Sequence, residues 1–350
     1  MKKIFASMMA AAMVVSLAGC SNGNSSESGS SANSESSSSA NSEGGSDNAA
    51  AYKLGMGVVT STASSAAGNA QVDATVAAVV LDADGKIVSC AIDVAQNKMD
   101  VTDGEVPEDA ASMTFKSKKE KLEEYGMKPA SAIGKEWYEQ AEAFEAYVVG
   151  KTADEVAAIP VETTDNGHVV TTDETLKAGC TMSISDFISA TVKACSDDSA
   201  ADFTGDAKLA LTTSTSVDSA TASAADGEDG TAAMYTSFAA VCYDEVQPKV
   251  TFDEAGEITS DPTAEIKTKR EKKDEYGMRS ASAISAEWFE QNQAFETFVT
   301  GKTSAEISAI PTETTDNGHV VTTDETLKAG CTMSVGGMIQ TVVKAMGLVG

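Results

Sequence analysis

The sequence predicts an α+β protein made of two tandem repeats, each a small antiparallel sheet with packed helices. Residues 162–183 recur letter for letter as residues 313–334, 151 positions later. Each repeat begins with β-rich runs and continues with helical apolar spacing. Around the constant segment the repeats have diverged, as where Tyr138 corresponds to Phe289. A recent duplication could also leave such identity, so the nature of the segment matters: it ends in a short polar turn.

The N-terminus predicts an exported protein held by a lipid. Lys2 and Lys3 precede an apolar run at residues 4–17, and residues 17–20 read Leu-Ala-Gly-Cys, which resembles the lipobox of bacterial lipoproteins. We expect residues 1–19 to be removed and Cys20 to be lipidated, which puts the chain on the extracellular face of the cell membrane. An ordinary secretory signal is the alternative.

A flexible tether and two domains are expected after the anchor. Residues 21–48 are almost entirely Ser, Gly, Asn, Ala and Glu, a composition that cannot bury a core. About 30 such residues reach roughly 30 Å on average. We assign residues 20–50 to the lipidated cysteine and tether, 51–196 to the first domain, 197–205 to a linker and 206–350 to the second domain.

The net charge and the number of cysteines limit the classes of function that the chain can have. With 25 basic and 53 acidic side chains, the net charge of −28 argues against a nucleic-acid partner, although solubility outside the cell also explains much of it. After Cys20 the cysteines number five, and between the repeats only Cys180 and Cys331 match. An odd number with one matched pair argues against a disulfide framework.

Within the first repeat, residues 76–81 and 86–92 predict a β-hairpin around the Asp-Ala-Asp-Gly turn at 82–85. A looser counterpart spans 238–243 and 249–252. Charged helical stretches are predicted at 115–125 and 266–276. A stronger helix follows in each repeat, with one face formed by Ile133, Trp137, Gln140, Phe144 and Val148, and by Ile284, Trp288, Gln291, Phe295 and Val299. The tryptophans at this spacing are interpreted as core anchors and not as a cofactor platform.

The last helix of each repeat follows the constant segment. Ser183 and Ser334 are predicted to be N-caps of this helix. Thr181 and Thr332 then lie two residues before a cap, at the positive end of a helix with free N–H groups, where a phosphate would bind. The alternative is an ordinary Gly C-cap followed by a Ser N-cap between two helices.

The histidines allow another interpretation. His168 and His319 each follow Asp-Asn-Gly, with Cys180 or Cys331 twelve residues later. This gives two candidate metal ligands per repeat, whereas a structural zinc site needs four, so we predict no metal site. A Cys-His hydrolase is a further alternative. Asp-Asn-Gly is first of all a turn signal with the histidine beside it.

The Gly-Cys-Thr turn and the Asp-Gly-Lys-Ile sequence at 84–87 together resemble the FMN-binding domain family. Its members carry FMN joined through the phosphate to a threonine hydroxyl at a motif Asp-x-x-Ser/Thr-Gly-Ala-Thr. Gly179-Cys180-Thr181 and Gly330-Cys331-Thr332 stand at the last three motif positions, with Cys in place of Ala. Thr175 and Ala178 stand at the motif's Asp and Ser/Thr positions. The tandem arrangement, the lipobox and residues 124–128 and 133–137 resemble, within this family, the extracellular electron-transfer flavoprotein lipoproteins of Gram-positive bacteria.

The resemblance implies covalent FMN on Thr181 and Thr332, two groups per chain, attached by a flavin transferase. It also implies cofactor contacts from the neighbouring residues Gly179, Cys180, Ser183, Gly330, Cys331, Ser334, His168 and His319. The function implied is an electron carrier more than a dedicated enzyme, with extracellular acceptor reductase activity as an option. It would take electrons from a quinone- or NADH-linked membrane donor and pass them to an extracellular acceptor such as ferric iron. The alternative is a non-catalytic surface lipoprotein that binds a small ligand or an envelope partner.

Overall fold

The computed structural model describes residues 51–197, 201–204, 209–240 and 242–348. The expected signal peptide at 1–19, the lipidated Cys20 and the tether at 20–50 lie outside the described residues. In the described part of the chain, no helix has both the length and the apolar character needed to cross a membrane.

The first repeat contains a four-stranded antiparallel sheet and a separate two-stranded hairpin, and the predicted α+β class is confirmed. Its strands are β1 (Ala51–Ser61), β2 (Asn69–Leu81), β3 (Ile87–Asp100), β4 (Val161–Thr163) and β5 (Val169–Thr171). Its helices are α1 (Lys118–Lys121), α2 (Trp137–Val148), α3 (Ala153–Ala157), α4 (Glu174–Lys177) and α5 (Ser185–Cys195).

The predicted β2–β3 hairpin is confirmed, and its strands are longer than expected. Its turn closes with the N–H of Gly85 donating to the carbonyl of Asp82 at 3.0 Å, and Gly85 has φ +74°, which glycine adopts without strain. Within the predicted linker at 197–205, β6 (Ala201–Thr204) pairs antiparallel with β1. The connection between the repeats thus completes the sheet order β3-β2-β1-β6.

The second repeat has the same plan with an interrupted strand. Its strands are β7 (Thr212–Val217), β8 (Gly230–Ala239), β9 (Tyr243–Val246), β10 (Lys249–Phe252), β11 (Thr312–Thr314) and β12 (Val320–Thr322). Its helices are α6 (Lys269–Lys272), α7 (Trp288–Val299), α8 (Ser304–Ser308), α9 (Glu325–Lys328) and α10 (Gly336–Gly347).

In this second sheet β9 and β10 continue one register along β8, with Tyr243 opposite Ala239 and Lys249 opposite Ala233. They correspond to a single strand broken at Pro248, which has no N–H for the ladder. The predicted run at 238–243 is therefore divided between β8 and β9.

The two sheets pack face to face, with helices on their outer faces. Side chains of β2 alternate: Ala77 and Val79 join a core with the helices of the first repeat. Val76 and Val80 face the second repeat and pack in one core with residues that include Phe238 of β8. Both faces of β2 are buried, which explains its nearly continuous apolar sequence. The order of layers is helices, first sheet, second sheet, helices.

Two equivalent ion pairs link the repeats. Lys193 Nζ of α5 lies 2.7 Å from Glu271 Oε1 of α6, and Lys344 Nζ of α10 lies 2.6 Å from Glu120 Oε1 of α1. Both partners of one pair are displaced by 151 positions from those of the other. Such reciprocity is the mark of an isologous, two-fold-like interface, here formed within one chain.

The helix predictions need two corrections. The charged stretches 115–125 and 266–276 each form one α-helical turn followed by a 3-10 turn, because Leu122 and Lys273 take φ +45° and end the α-helix. The strong helices begin at Trp137 and Trp288, so Ile133 and Ile284 lie before them and outside the helical stripe.

Candidate functional site

The constant segment folds identically in both repeats. The hairpin β4–β5 is followed by α4, a turn that carries Thr181, and α5. Asp173 starts α4, since its side chain accepts hydrogen bonds from the N–H groups of Thr175 and Leu176 at 2.9 and 3.0 Å. At the other end the N–H of Ile184 donates to the carbonyl of Val169 at 2.9 Å. The turn is therefore fastened to the hairpin.

The serine N-caps are a wrong prediction. The N-cap of α5 is Ile184 and that of α10 is Val335. Ser183 Oγ accepts instead from the N–H of Val169 at 3.3 Å, and Ser334 Oγ donates to the carbonyl of Val320 at 3.3 Å. The hairpin offers these hydroxyls backbone partners, so they hold the hairpin and do not cap the helix.

A buried glutamine holds the Thr181 turn. Gln140 of α2 is 1 % exposed, and its Oε1 accepts from the N–H of Thr181 at 2.9 Å and from the Thr181 hydroxyl at 3.3 Å. Its Nε2 donates to Ser131 Oγ at 3.1 Å and to the carbonyl of Lys135 at 3.3 Å. The amide thus joins the turn to the loop before α2. The Thr181 N–H is consequently not free for a phosphate, contrary to the prediction.

The second repeat reproduces this arrangement with Gln291. Its Oε1 accepts from the N–H and the hydroxyl of Thr332 at 2.8 and 3.2 Å, and its Nε2 donates to Ser282 Oγ at 3.1 Å. The helical spacing placed both glutamines on an apolar helix face, and this role was not predicted. A glutamine at the same position of two otherwise apolar helix faces was the signal that could have indicated this role.

The cysteines next to the threonines face the core. Cys180 and Cys331 are 0 % exposed, and burial raises the pKa of each thiol to about 11. A thiol with such a pKa stays protonated near neutrality and is a poor nucleophile or metal ligand. Gly179 and Gly330 pack closely on the helix beneath, since a Cβ at either would lie 2.7 Å from the Cβ of Ala143 or Ala294.

The histidines are exposed, whereas these thiols are buried. His168 and His319 are exposed at the hairpin tips, where each backbone N–H donates to a threonine hydroxyl, Thr164 or Thr315, at 3.1 Å. Among the described residues no hydrogen bond joins either imidazole to these thiols, so the Cys-His hydrolase alternative is not supported. Among the described residues no cluster of three or more metal-ligating side chains occurs.

The residues around Thr181 would fit a phosphoester. The threonine is half-buried, so its hydroxyl lies at the edge of the surface. Esterification would remove the 3.3 Å hydroxyl contact to Gln140 and leave the shorter N–H contact in place. No carboxylate in the described part of the chain is bonded to the Thr181 side chain. Met127, half-buried beside Gln140, offers an apolar neighbour.

Half-buried charges form a second cluster in each repeat. Lys119 Nζ lies 2.8 Å from Glu145 Oε1, and that carboxylate accepts from the N–H of Ile92 at 2.7 Å. In the second repeat Arg270 takes the place of Lys119 and lies 3.6 Å from Glu296. These contacts fasten α2 and α7 to the neighbouring strands.

Asp244 sits beside Arg270, whose backbone N–H donates to it at 3.1 Å. Burial raises the pKa of Asp244 to about 7, against opposing hydrogen bonds and the Arg270 charge. The sequence predicted a charged helical stretch around Arg270, and this buried acid was not among the predicted site residues.

A cleft of about 490 Å³ opens between the repeats at this cluster. Its walls come from β1, the end of α5, α6 and α7, and they carry both cationic and acidic side chains, among them Lys193, Arg270 and Glu296. Neither threonine turn contributes to its walls. The cleft is thus a separate feature from the predicted site.

Comparison with known proteins gives limited similarity. No family model matches the chain, and no solved structure matches it. A chlorophenol reductase of Desulfitobacterium hafniense is 40% identical over 93 residues, which cover 23% of this chain and 28% of that protein. The chain therefore spans little more than a quarter of the length of this relative.

Proposed function

We propose that this chain is a flavoprotein electron carrier with FMN joined covalently to Thr181 and Thr332. The observation that carries the proposal is the duplicated turn. In both repeats a half-buried threonine hydroxyl follows a buried cysteine and is oriented by the same glutamine contact. The hydroxyl has the same geometry in both repeats although the surrounding sequences have diverged, as expected if both threonines are modified in the same way.

In this proposal the bound flavin supplies one- and two-electron chemistry, and the protein supplies attachment and surroundings. Gln140 and Gln291 orient the threonines through the backbone N–H contacts. The relative named chlorophenol reductase supports a redox role, because reduction consumes electrons. Its substrate belongs to that protein and is not transferred to this chain.

We further propose that the carrier works at the cell surface. Lipidated Cys20 would hold the chain on the membrane, where a quinone- or NADH-linked donor delivers electrons. The tether at 20–50, with a mean reach of roughly 30 Å, would let the repeats reduce an extracellular acceptor such as ferric iron.

Intact-mass measurement after co-expression with a flavin transferase tests the attachment. The wild type should gain two FMN groups, Thr181→Ala and Thr332→Ala one each, and the double variant none. Thr163→Ala combined with Thr314→Ala is a matched control, because both threonines are exposed in the same segments and lie outside the attachment motif, and it should still gain two groups. Two additions on the Thr181/Thr332 double variant would disprove the assignment.

Removal of the lipid tests the anchored carrier. Cys20→Ser, exported with an intact signal and loaded by an exported transferase, should be released still carrying FMN, while washed cells lose reduction of ferric iron. Equal rates of iron reduction by mutant and wild-type cells, at matched protein amounts, would contradict the anchored model.

The cleft between the repeats favours a second candidate, a surface lipoprotein that binds a small polar ligand. Its volume of about 490 Å³ falls in the range of small-molecule sites, and its walls offer charges of both signs. No FMN addition on the wild type, with an active transferase verified on another substrate, would favour this candidate over the carrier.

A further inference from the structure

We infer that the cleft between the repeats binds a small organic amine, whose ammonium group donates to Asn292 Oδ1 beside the carboxylate of Glu296. The inference rests on the second candidate function, the binding of a small polar ligand in the cleft, and gives that ligand a chemical class. Flavin attachment at the threonine turns, outside the cleft, is compatible with it.

One buried polar atom of the cleft wall calls for a hydrogen-bond donor. Asn292 of α7 lines the cleft and is 2 % exposed, and its Oδ1 has no hydrogen-bond partner among the described residues. Its Nδ2 donates to the carbonyl of Tyr243 at 2.9 Å and to Glu296 Oε1 at 3.0 Å. A flipped amide would turn the oxygen toward these two acceptors, so the orientation is fixed. A buried acceptor without a donor is costly, and an N–H or O–H group of a ligand would remove that cost.

The equivalent position of the first repeat has no polar side chain. It is occupied by Ala141 of α2, which packs in the core. Lys119 Nζ there lies 2.8 Å from Glu145 Oε1, whereas Arg270 lies 3.6 Å from Glu296 in the second repeat. The fold that the repeats share therefore does not require an asparagine at this position. The asparagine occurs in the repeat whose charged cluster lines the cleft.

The less exposed charges of the cleft wall are mainly negative. One guanidinium, that of Arg270, lies among the carboxylates of Asp197, Asp244 and Glu296. The distances from Arg270 to Asp197 and Glu296 are 3.9 and 3.6 Å. Burial raises the pKa of Asp244 to about 7 and also raises the pKa of Glu296, in spite of the Arg270 charge. The charged carboxylates are therefore poorly solvated, and a second cation beside them would lower their electrostatic energy.

The exposed rim of the cleft does not reverse this balance. Lys193 Nζ and Glu271 Oε1 are paired at 2.7 Å, and the Lys193 ammonium also donates to the carbonyl of Val58 at 3.0 Å. Lys273, the third cation of the wall, is exposed. Solvent and salt screen these rim charges more strongly than the buried ones.

The cleft also offers apolar surface for the body of such a ligand. Met56 and Val58 of β1 are buried in its wall, and Phe289 of α7 is half-buried there. The volume of about 490 Å³ leaves room for a short hydrocarbon chain. An uncharged alcohol would donate to Asn292 without offsetting the carboxylates, and a quaternary ammonium ion would do the reverse. A primary amine does both.

Titration of the full chain, released by Cys20→Ser and followed by two-dimensional NMR, tests the inference with three probes. n-Butylamine should shift the backbone signals of α7 and β1 at the cleft, and the shifts should saturate. n-Butanol and tetramethylammonium should each bind about tenfold more weakly or less, since each lacks one of the two interactions. Equal affinities of the three probes in the wild type would overturn the inference.

Variants locate the binding site. Asn292→Ala places in α7 the residue that the first repeat has at this position, so it should fold normally and bind n-butylamine about tenfold more weakly. Glu296→Gln should also weaken binding. The control is Asn317→Ala, at the exposed tip of the β11–β12 hairpin, which should bind as the wild type does. Unchanged affinity in Asn292→Ala would contradict the assigned contact.

The outcome is separable from flavin attachment. A protein that carries two FMN groups and binds no n-butylamine would overturn this inference and leave the carrier proposal in place. A protein that gains no FMN from an active transferase, yet binds n-butylamine through Asn292, would overturn the carrier proposal and support this inference.

Discussion

Replacing Gln140 by leucine should destabilise the first repeat strongly, because one buried amide makes four hydrogen bonds to nitrogen or oxygen there. They join it to the N–H and hydroxyl of Thr181, to Ser131 and to the carbonyl of Lys135. At about 1 kcal/mol each, and with some compensation from the apolar replacement, the free energy of unfolding should fall by about 3 kcal/mol. Gln291→Leu should have a similar effect in the second repeat.

Urea unfolding followed by circular dichroism measures this change as a lower midpoint at an unchanged slope. The control is Gln293→Leu on α7, whose side chain is exposed, and it should stay within about 0.5 kcal/mol of the wild type. If Gln140→Leu also stayed within that limit, the amide would not hold the turn and the reasoning would be refuted.

Three further outcomes are expected. Gly57→Ala should lower the free energy of unfolding by about 3 kcal/mol, because the added Cβ would lie 2.3 Å from a backbone carbonyl oxygen of α5. Gly337→Ala, with open space around the added Cβ, should be neutral or stabilising. Equal thermal midpoints of the two variants would contradict the close packing at Gly57. The pKa of Asp244 is raised from 3.8 to about 7 in the folded state, so between these pH values the folded state keeps a proton that the unfolded chain releases. The free energy of unfolding should therefore fall as the pH rises through this range. Asp244→Asn should reduce that fall by up to ~4 kcal/mol, measured by denaturation at several pH values in the range. Cys180→Ala with Cys331→Ala should retain FMN and redox cycling and lose about 1 kcal/mol per site, and lost cycling with full FMN content would make the thiols participants.

Local patterns predicted the elements whose signals come from neighbours close in sequence. The hairpin strand β2, which is buried on both faces, and the apolar spacing of α2 from Trp137 to Val148 are both confirmed. Ile133 fitted the same helical spacing but lies before α2, because Glu136 forms a capping box that starts the helix after it.

Long-range partners could not be predicted in this way. Serine is a common N-cap residue, yet the Ser183 hydroxyl accepts a hydrogen bond from the N–H of Val169, which lies fourteen positions earlier in the hairpin. The pairing of β6 with β1 and the packing of the two sheets likewise join residues far apart in the chain. For the site, the sequence located Thr181 and its turn, whereas the role of Gln140 depends on a contact across 41 positions.

The reciprocal ion pairs between the repeats have a consequence for how such a molecule can evolve. In a dimer of identical chains, every substitution appears in both halves, so neither half can acquire a property that the other lacks. Here the halves are joined in one chain, and a change such as Lys135 opposite Ala286 falls on one half alone. The packing between the repeats keeps its two-fold character, while the chemical properties of the two halves can diverge. A duplicated and fused chain can thus have two halves with different chemical properties, which a symmetric dimer of identical chains cannot have.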